Sequence, residues 1–159
     1  MSSGSDGSGQ PPNSRLEDDM GVTALPFNRF LGLEPAAPES GFLVSLPGSP
    51  HYTNHLGTVH AGALLAVAEA GSGELLLRHF GDVSGYVPVV RRLEAKFRKP
   101  AASRISARAS VAAGGFDRLN KDLEQKGRAQ ISVDVEVVDE HGVVVLEAVV
   151  EWFIVRGAK

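Results

Sequence analysis

The sequence predicts an α+β fold in which one antiparallel β-sheet curls around one long, apolar helix. Three observations lead to this prediction. Residues 61–79 are rich in alanine and leucine, as expected for a helix covered on several sides. The segments after this helix alternate between apolar and polar residues, as β-strands do. No regular succession of helices separates these strands, which favours a single antiparallel sheet.

The predicted elements follow from local composition and from proline and glycine punctuation. In order, they are a short helix near 23–31, a strand at 41–47, a turn-rich loop at 49–60, the long helix at 61–79, strands at 86–101 and 104–113, a surface helix at 116–127, and a hairpin at 128–155. Gly71 and Gly73 lie inside the long helix. Glycine in a buried helix indicates that another backbone approaches closely.

Length and composition limit the classes of protein to which the chain can belong. Its 159 residues suit one domain with a sizeable core. We expect residues 1–20 to be a disordered tail and residues 21–159 to form that domain. The chain has no cysteine, which excludes disulfides and thiolate metal sites. It lacks both a long uncharged apolar run and a secretory signal, so we expect a cytoplasmic protein with no membrane partner.

The charge is unevenly distributed along the chain. The net charge of −3 arises within residues 1–20, and the remainder is formally neutral. Residues 91–108 form a local basic strip in this neutral part. This pattern argues against a nucleic-acid partner and favours a small polyanionic ligand.

Glu69 lies in the apolar stripe of the predicted long helix. At 100° per residue, Leu65 and Leu76 lie within about 40° of it. Glu74 lies about 140° away, and with Arg78 it forms an i,i+4 pair typical of a solvated helix face. An unpaired buried carboxylate is costly. Glu69 therefore either pairs with an arginine, or faces water, or has a raised pKa and a chemical role as base or nucleophile.

His60 immediately precedes the helix and cannot meet Glu69 within one chain, because nine helical residues span about 13.5 Å. A site that uses both must join two copies, which favours a dimer with its site at the interface. The N–H groups of residues 61–63 lack intrahelical partners, and Ala61 and Gly62 leave room for a carbonyl oxygen that becomes an oxyanion. The alternative for His60 is an ordinary residue at a helix start.

The stretch NHLGTVHAGALLAVAEAGSG, residues 54–73, resembles the signature of hotdog-fold acyl-CoA thioesterases of the phenylacetyl-CoA thioesterase-like type. That signature has an Asn or Gln, a His six residues later, small residues that open a long helix, and an acid nine residues after the His. The matching residues are Asn54, His60, Ala61-Gly62 and Glu69. The chain is similar in particular to a poorly characterised hotdog group with a short helix before its last hairpin, here residues 117–129. The resemblance covers residues 22–156.

The resemblance implies a hotdog fold, in which a curled antiparallel sheet wraps around the long helix. Two subunits would pair their sheets, and such homodimers often pair again into homotetramers. The resemblance also implies that Glu69 is the general base or nucleophile. The Ala61 backbone N–H of the other subunit would polarise the thioester carbonyl. The Asn54 side chain would hold the attacking water or the thioester, and His60 would shape the helix start.

The chain departs from the family pattern in two ways. Many relatives have Gly-Gly after the His, where this chain has Ala61-Gly62, and the backbone N–H is retained. Some relatives support the acid with a hydroxyl from the next turn or the following strand. Here Val90 and Gly73 stand at those positions, and Ser72 is the nearest hydroxyl. Ser72 and Gly62 are therefore predicted to contribute to substrate binding.

The basic strip provides candidates for binding the phosphates of coenzyme A. These are Arg91, Arg92, Lys96, Arg98 and Lys99. The alternative is a solvated strand face. Strand alternation places Arg91 with Leu93 and Phe97, which predicts a buried partner for an acid.

The expected function is hydrolysis of acyl-CoA thioesters without a cofactor, because coenzyme A is part of the substrate. The alternative from a different class is a non-catalytic hotdog module that binds acyl-CoA or acyl carrier protein. A hotdog dehydratase or hydratase fits less well, because the His-containing motifs of those enzymes are absent. No metal site is expected, since His51, His55 and His60 share one loop without a clear acidic ligand.

Overall fold

The structure is a computed structural model that describes residues 21–82 and 84–157. The disordered tail expected over residues 1–20 lies outside these residues. The helices are α1 (Pro26–Leu31), α2 (Ala61–Phe80) and α3 (Gly115–Lys126), with 3₁₀ turns at Val22–Ala24 and Pro50–Tyr52. The strands are β1 (Glu34–Pro35), β2 (Val44–Leu46), β3 (Tyr86–Phe97), β4 (Ile105–Ser110), β5 (Arg128–Asp139) and β6 (Val144–Arg156).

The six strands form one antiparallel sheet in the order β1-β2-β4-β5-β6-β3. Helix α2 packs against β2, β4, β5 and β6, so the sheet curves around it. This arrangement confirms the predicted α+β hotdog fold. The core between them is built from alternate strand residues, such as Ala107, Val133 and Val150, which are fully buried. Such alternation puts one face of each strand on the helix and the other towards solvent.

Gly71 allows α2 to approach β4 closely. A Cβ atom at position 71 would lie 2.7 Å from the Cβ atom of Ala107, nearer than two side-chain carbons can pack. The expected close approach of another backbone is therefore confirmed at Gly71. A Cβ atom at Gly73 would lie 3.4 Å from Val22 and 3.5 Å from Trp152, which is ordinary contact.

The predicted elements are confirmed in order and type, and their ends differ by a few residues. The strand predicted to end at Pro100 ends at Phe97, because Arg98 and Lys99 leave the ladder and donate instead to the carbonyl of Val145. Two very short elements were not predicted, namely β1 and the 3₁₀ turn at Pro50–Tyr52. Within the described residues, no helix combines the length and apolarity needed to cross a membrane.

Strand β3 lies at the end of the sheet and differs from its neighbours. It pairs with β6 alone, and a β-bulge at Arg91 interrupts the register between Val90 and Arg92. The bulge shifts Arg91 out of the simple alternation, so the prediction of a buried Arg91 was wrong. Its side chain is exposed, and the guanidinium lies 5.3 Å from the ring centre of Phe153.

Candidate active site

Glu69 lines an apolar cavity beside the second half of α2. The cavity has a volume of about 550 Å³, within the usual range for small-molecule sites. Its lining includes the aromatic residues Phe80, Tyr86 and Trp152. Helix α2 supplies one wall, because residues three or four positions apart share a helix face. The start of β3, β6 and residues 21–25 supply the other walls.

The Glu69 carboxylate has no hydrogen-bonding or charged partner within residues 21–82 and 84–157. Burial among apolar neighbours raises the pKa of Glu69 above its usual 4.5, because removal from water disfavours the charged form. Neither an arginine partner nor a fully solvated face therefore accounts for this acid. An unpaired and desolvated carboxylate in a cavity suits a general base or a nucleophile.

The start of α2 is organised by His60. Its Nδ1 accepts a hydrogen bond from the Gly62 N–H at 2.9 Å, so this nitrogen carries no proton. A Cβ atom at Gly62 would lie 3.2 Å from Nδ1, and glycine thus leaves room for the cap. The Ala61 N–H makes no hydrogen bond with any residue that the structure describes. This donor is available to an acceptor from outside the chain.

The Asn54 side chain is engaged in its own loop. Its Oδ1 accepts hydrogen bonds from the backbone N–H groups of Leu56 at 2.9 Å and Thr58 at 3.1 Å. Its amide nitrogen donates to the Thr58 hydroxyl at 2.9 Å. Asn54 therefore shapes the 54–58 loop and presents Leu56, which is 73% exposed, at the tip. One amide hydrogen of Asn54 remains available for a ligand.

Ser72 supports Trp152 rather than the Glu69 carboxylate. The hydroxyl of this fully buried serine donates to the Glu69 backbone carbonyl at 2.7 Å. It also accepts a hydrogen bond from the Trp152 Nε1–H at 3.0 Å. Ser72 thus fixes the indole ring that lines the cavity, and it gives the acid no side-chain contact.

The two halves of the site are separated along α2. Ala61 and Glu69 are eight helical residues apart, or about 12 Å of rise. A reacting carbonyl group must lie within about 3 Å of both its oxyanion donor and its base. The structure therefore groups Asn54, His60, Ala61 and Gly62 at the helix start, and it places Glu69 apart from them in the cavity.

The predicted basic residues lie mostly on the other side of the sheet. Arg92 and Lys96 alternate with the inward-facing residues of β3, and Arg91 lies near Phe153 on the same outer face. Arg92 pairs with Glu94, and Arg98 pairs with Glu147. Arg98 and Lys99 follow the end of β3. None of these residues lines the cavity of Glu69.

Glu74 has a role that its sequence position did not indicate. Its pairing with Arg78 is confirmed at 3.0 Å, but the predicted solvated face is wrong, because the Glu74 side chain is only 14% exposed. Its second oxygen accepts the Val22 N–H at 3.1 Å. The partner is a backbone group 52 positions away, and no local sequence signal announces such a contact. Trp152, by contrast, lies on the face of β6 that alternation along the strand buries, together with Val150 and Ile154.

The family model for a domain of unknown function, DUF4442, matches residues 36–154. The chain belongs to this family. None of the curated proteins with which the sequence was compared matches it. The matched part of this DUF4442 chain includes the Asn54 loop, the whole of α2 and all strands except β1 and the last residues of β6.

Solved structures similar to this DUF4442 chain are hotdog proteins, several of them named as thioesterases. A Pseudomonas aeruginosa protein of unknown function, called a "probable thioesterase", is 29% identical with a TM-score of 0.73, over 86% of this chain and 91% of that one. A Bacillus halodurans protein solved with CoA is 25% identical with a TM-score of 0.56, and the match covers 70% of this chain and 66% of that one. A Haemophilus influenzae thioesterase is 17% identical with a TM-score of 0.65, and the match covers 85% of this chain and 86% of that one. At this low identity, the similarity shows the fold alone. The chain is a thioesterase-like hotdog protein, as its sequence predicted.

Proposed function

We propose that this chain hydrolyses coenzyme A thioesters of apolar acyl groups, at a site built by two copies of the chain. The observation that carries the proposal is the unpaired Glu69 carboxylate at the wall of an apolar cavity of about 550 Å³. A thioesterase needs an apolar space for the acyl group and a base with a suitable pKa. The likeness to the Pseudomonas aeruginosa protein supports the same activity.

In the proposed reaction, Glu69 removes a proton from a water molecule while the water oxygen attacks the thioester carbonyl carbon. The carbonyl oxygen becomes an oxyanion and accepts a hydrogen bond from Ala61 N–H of the second copy. The carbon–sulfur bond then breaks, and the leaving thiolate takes the proton from Glu69. Direct attack by Glu69 is the alternative route, and it would leave an acyl adduct on Glu69 in mass spectra of the quenched reaction.

The second copy is proposed to pair with the free edge of β3. This edge has no strand partner within the described residues. Apolar side chains on the inner face of β3 lack cover, since Val90 is 39% and Phe97 is 51% exposed. Proteins rarely leave a long apolar edge strand unpaired. Pairing with a second β3 would close the open side of the cavity, and pairing of two dimers into a tetramer remains a prediction.

Binding of the coenzyme A phosphates is proposed for the basic residues that form no ion pair. Lys96 and Lys99 are exposed and have no acidic partner at ion-pair distance in the described part of the chain. Arg91, Arg92 and Arg98 would have to leave their present contacts. The coenzyme A in the Bacillus halodurans protein supports this class of ligand.

The test compares the wild type with Glu69→Gln and Glu69→Ala on acetyl-CoA, dodecanoyl-CoA and phenylacetyl-CoA. General-base catalysis contributes about 10²–10⁴-fold, so kcat should fall by at least about a hundredfold in both variants. The oligomeric state, measured by light scattering, should not change. Full activity of Glu69→Ala on every hydrolysed substrate would refute the proposal.

One observation favours the non-catalytic alternative. The Asn54 side chain, which the family pattern uses for water or thioester, is largely committed to the loop. An acyl-CoA or acyl-carrier-protein binding module would bind these thioesters saturably without turnover. Calorimetric binding in the absence of hydrolysis across the substrates would therefore select that alternative.

A further inference from the structure

One wall of the cavity comes from neither the sheet nor α2. Residues 21–25 contact α2, and Gly21, Val22 and Leu25 line the cavity. The segment is short and contains one 3₁₀ turn, so its own hydrogen bonds cannot hold it there. The position of this wall therefore depends on what the rest of the chain offers to it.

Both polar backbone groups of Val22 are held by side chains. The Val22 N–H donates to Glu74 Oε2 at 3.1 Å, and the Val22 carbonyl accepts from the Asn28 amide nitrogen at 2.9 Å. Asn28 is only 5% exposed. The Val22 side chain rests against the helix surface at Gly73, where a Cβ atom would be 3.4 Å away. Glu74 and Gly73 thus hold the segment against α2, and Asn28 holds it against α1.

Of these three residues, Glu74 is the charged one. Its carboxylate divides between two partners, because one oxygen accepts the Val22 N–H and the other accepts Arg78 Nε. A hydrogen bond to a charged acceptor is stronger than one between neutral groups. The Arg78 side chain is 49% exposed, and removing it would leave the bond to Val22 in place. The two interactions of Glu74 can thus be separated by mutation.

We infer that Glu74 is a positioning residue that selects long, unsubstituted hydrocarbon acyl groups by holding residues 21–25 as the wall of the cavity. This inference rests on the proposed function. Along α2 the cavity extends from Glu69 to Phe80, eleven residues or about 16.5 Å. Apart from Glu69 and the Tyr86 hydroxyl, the lining side chains carry no free polar group, since the Trp152 Nε1–H is already bonded to Ser72. A dodecanoyl group would reach the Val22 and Leu25 wall, whereas an acetyl group would not.

The experiment measures kcat and KM for dodecanoyl-CoA and acetyl-CoA in Glu74→Ala, Glu74→Gln and Arg78→Ala. Loss of the bond to Val22 should raise the KM for dodecanoyl-CoA on the order of tenfold in Glu74→Ala. Its kcat, and both constants for acetyl-CoA, should stay within about twofold of wild type. Glu74→Gln keeps an acceptor oxygen and should recover most of the loss. Arg78→Ala should behave as wild type.

Two outcomes would overturn the inference. Glu74→Ala could match Arg78→Ala, or it could change both substrates equally, as a general loss of structure would. If Glu74→Ala does not fold, Val22→Ala removes wall atoms and leaves Glu74 in place. It should also raise the KM for dodecanoyl-CoA alone, and an unchanged KM would overturn the inference.

Binding without hydrolysis separates this inference from the proposed function. Trp152 is the only tryptophan of the chain and lines the cavity, so its fluorescence should report on binding of free dodecanoate. If Glu74→Ala weakens that binding while no variant hydrolyses thioesters, the inference stands and the proposed function fails. If hydrolysis depends on Glu69 but Glu74→Ala binds dodecanoate as tightly as wild type, the proposed function stands and the inference fails.

Discussion

Replacing Gly71 by alanine should loosen the contact between α2 and β4 that positions both halves of the site. The new Cβ atom would lie 2.7 Å from that of Ala107, and both atoms are fixed to backbones. Overpacking of a core costs about 1–3 kcal/mol, and so severe a clash belongs near the upper end. Alanine gains about 1 kcal/mol over glycine in helix propensity. The net loss is therefore about 2 kcal/mol, or about 4–8 °C in melting temperature for a chain of this size.

The matched control for this prediction is Gly73→Ala, in the same helix. Its Cβ atom would meet Val22 at 3.4 Å and Trp152 at 3.5 Å, so the propensity gain should dominate, with a rise of about 2–4 °C. Thermal unfolding followed by circular dichroism measures both variants. In addition, Gly71→Ala combined with Ala107→Gly should lose less than the sum of the two single changes. A Gly71→Ala variant as stable as Gly73→Ala would refute the reasoning.

Three further predictions concern the site itself. His60→Ala should remove the cap on Gly62 N–H and cost about 1 kcal/mol, or about 2–4 °C, whereas His60→Asn should restore most of it; equal melting temperatures for the two variants would contradict the capping role. Burial raises the pKa of Glu69 above 4.5, so the folded state favours the protonated form and ionisation of Glu69 opposes folding. The stability contributed by the protonated form is fully present below pH 4.5 and is lost as the pH rises through the folded-state pKa. Glu69→Gln should therefore melt higher than wild type at neutral pH, and the difference should vanish in acid. Ala61→Pro should lower kcat about 10²–10³-fold, because it removes the N–H group that is proposed to stabilise the oxyanion. The melting temperature should not change, because proline is favoured at the first helical position. His60 also already has the extended backbone, with ψ 141°, that a residue before proline prefers.

The long helix, and the position of Glu69 within its apolar stripe, could be predicted from the sequence because both depend on the local pattern of apolar residues. Angular position along α2 identified Glu69 as part of the apolar stripe, and the structure places it at an apolar cavity. The same pattern gave the wrong exposure for Glu74. Its i,i+4 spacing from Arg78 is typical of a solvated helix face, but its carboxylate also accepts a hydrogen bond from the distant backbone N–H of Val22. A periodic pattern reports which face a residue occupies, and it says nothing about which segment later covers that face.

The wrong prediction of a buried Arg91 has a different physical cause. Strand alternation assigns faces correctly only while the register is unbroken. A β-bulge between Val90 and Arg92 adds one residue to the strand, and a bulge has no compulsory sequence signature. The alternation after the bulge, with Leu93 inward and Arg92 outward, was predicted correctly.

The central claim is that Ala61 of one copy and Glu69 of another form a single site. Co-expression of Ala61→Pro and Glu69→Gln chains tests it most directly, since each homodimer would lack one of the two groups at both sites. A mixed dimer would hold one site with both groups intact, so random assortment predicts recovery of about a quarter of wild-type kcat. A mixture no more active than the two separate variants would contradict a site shared between chains.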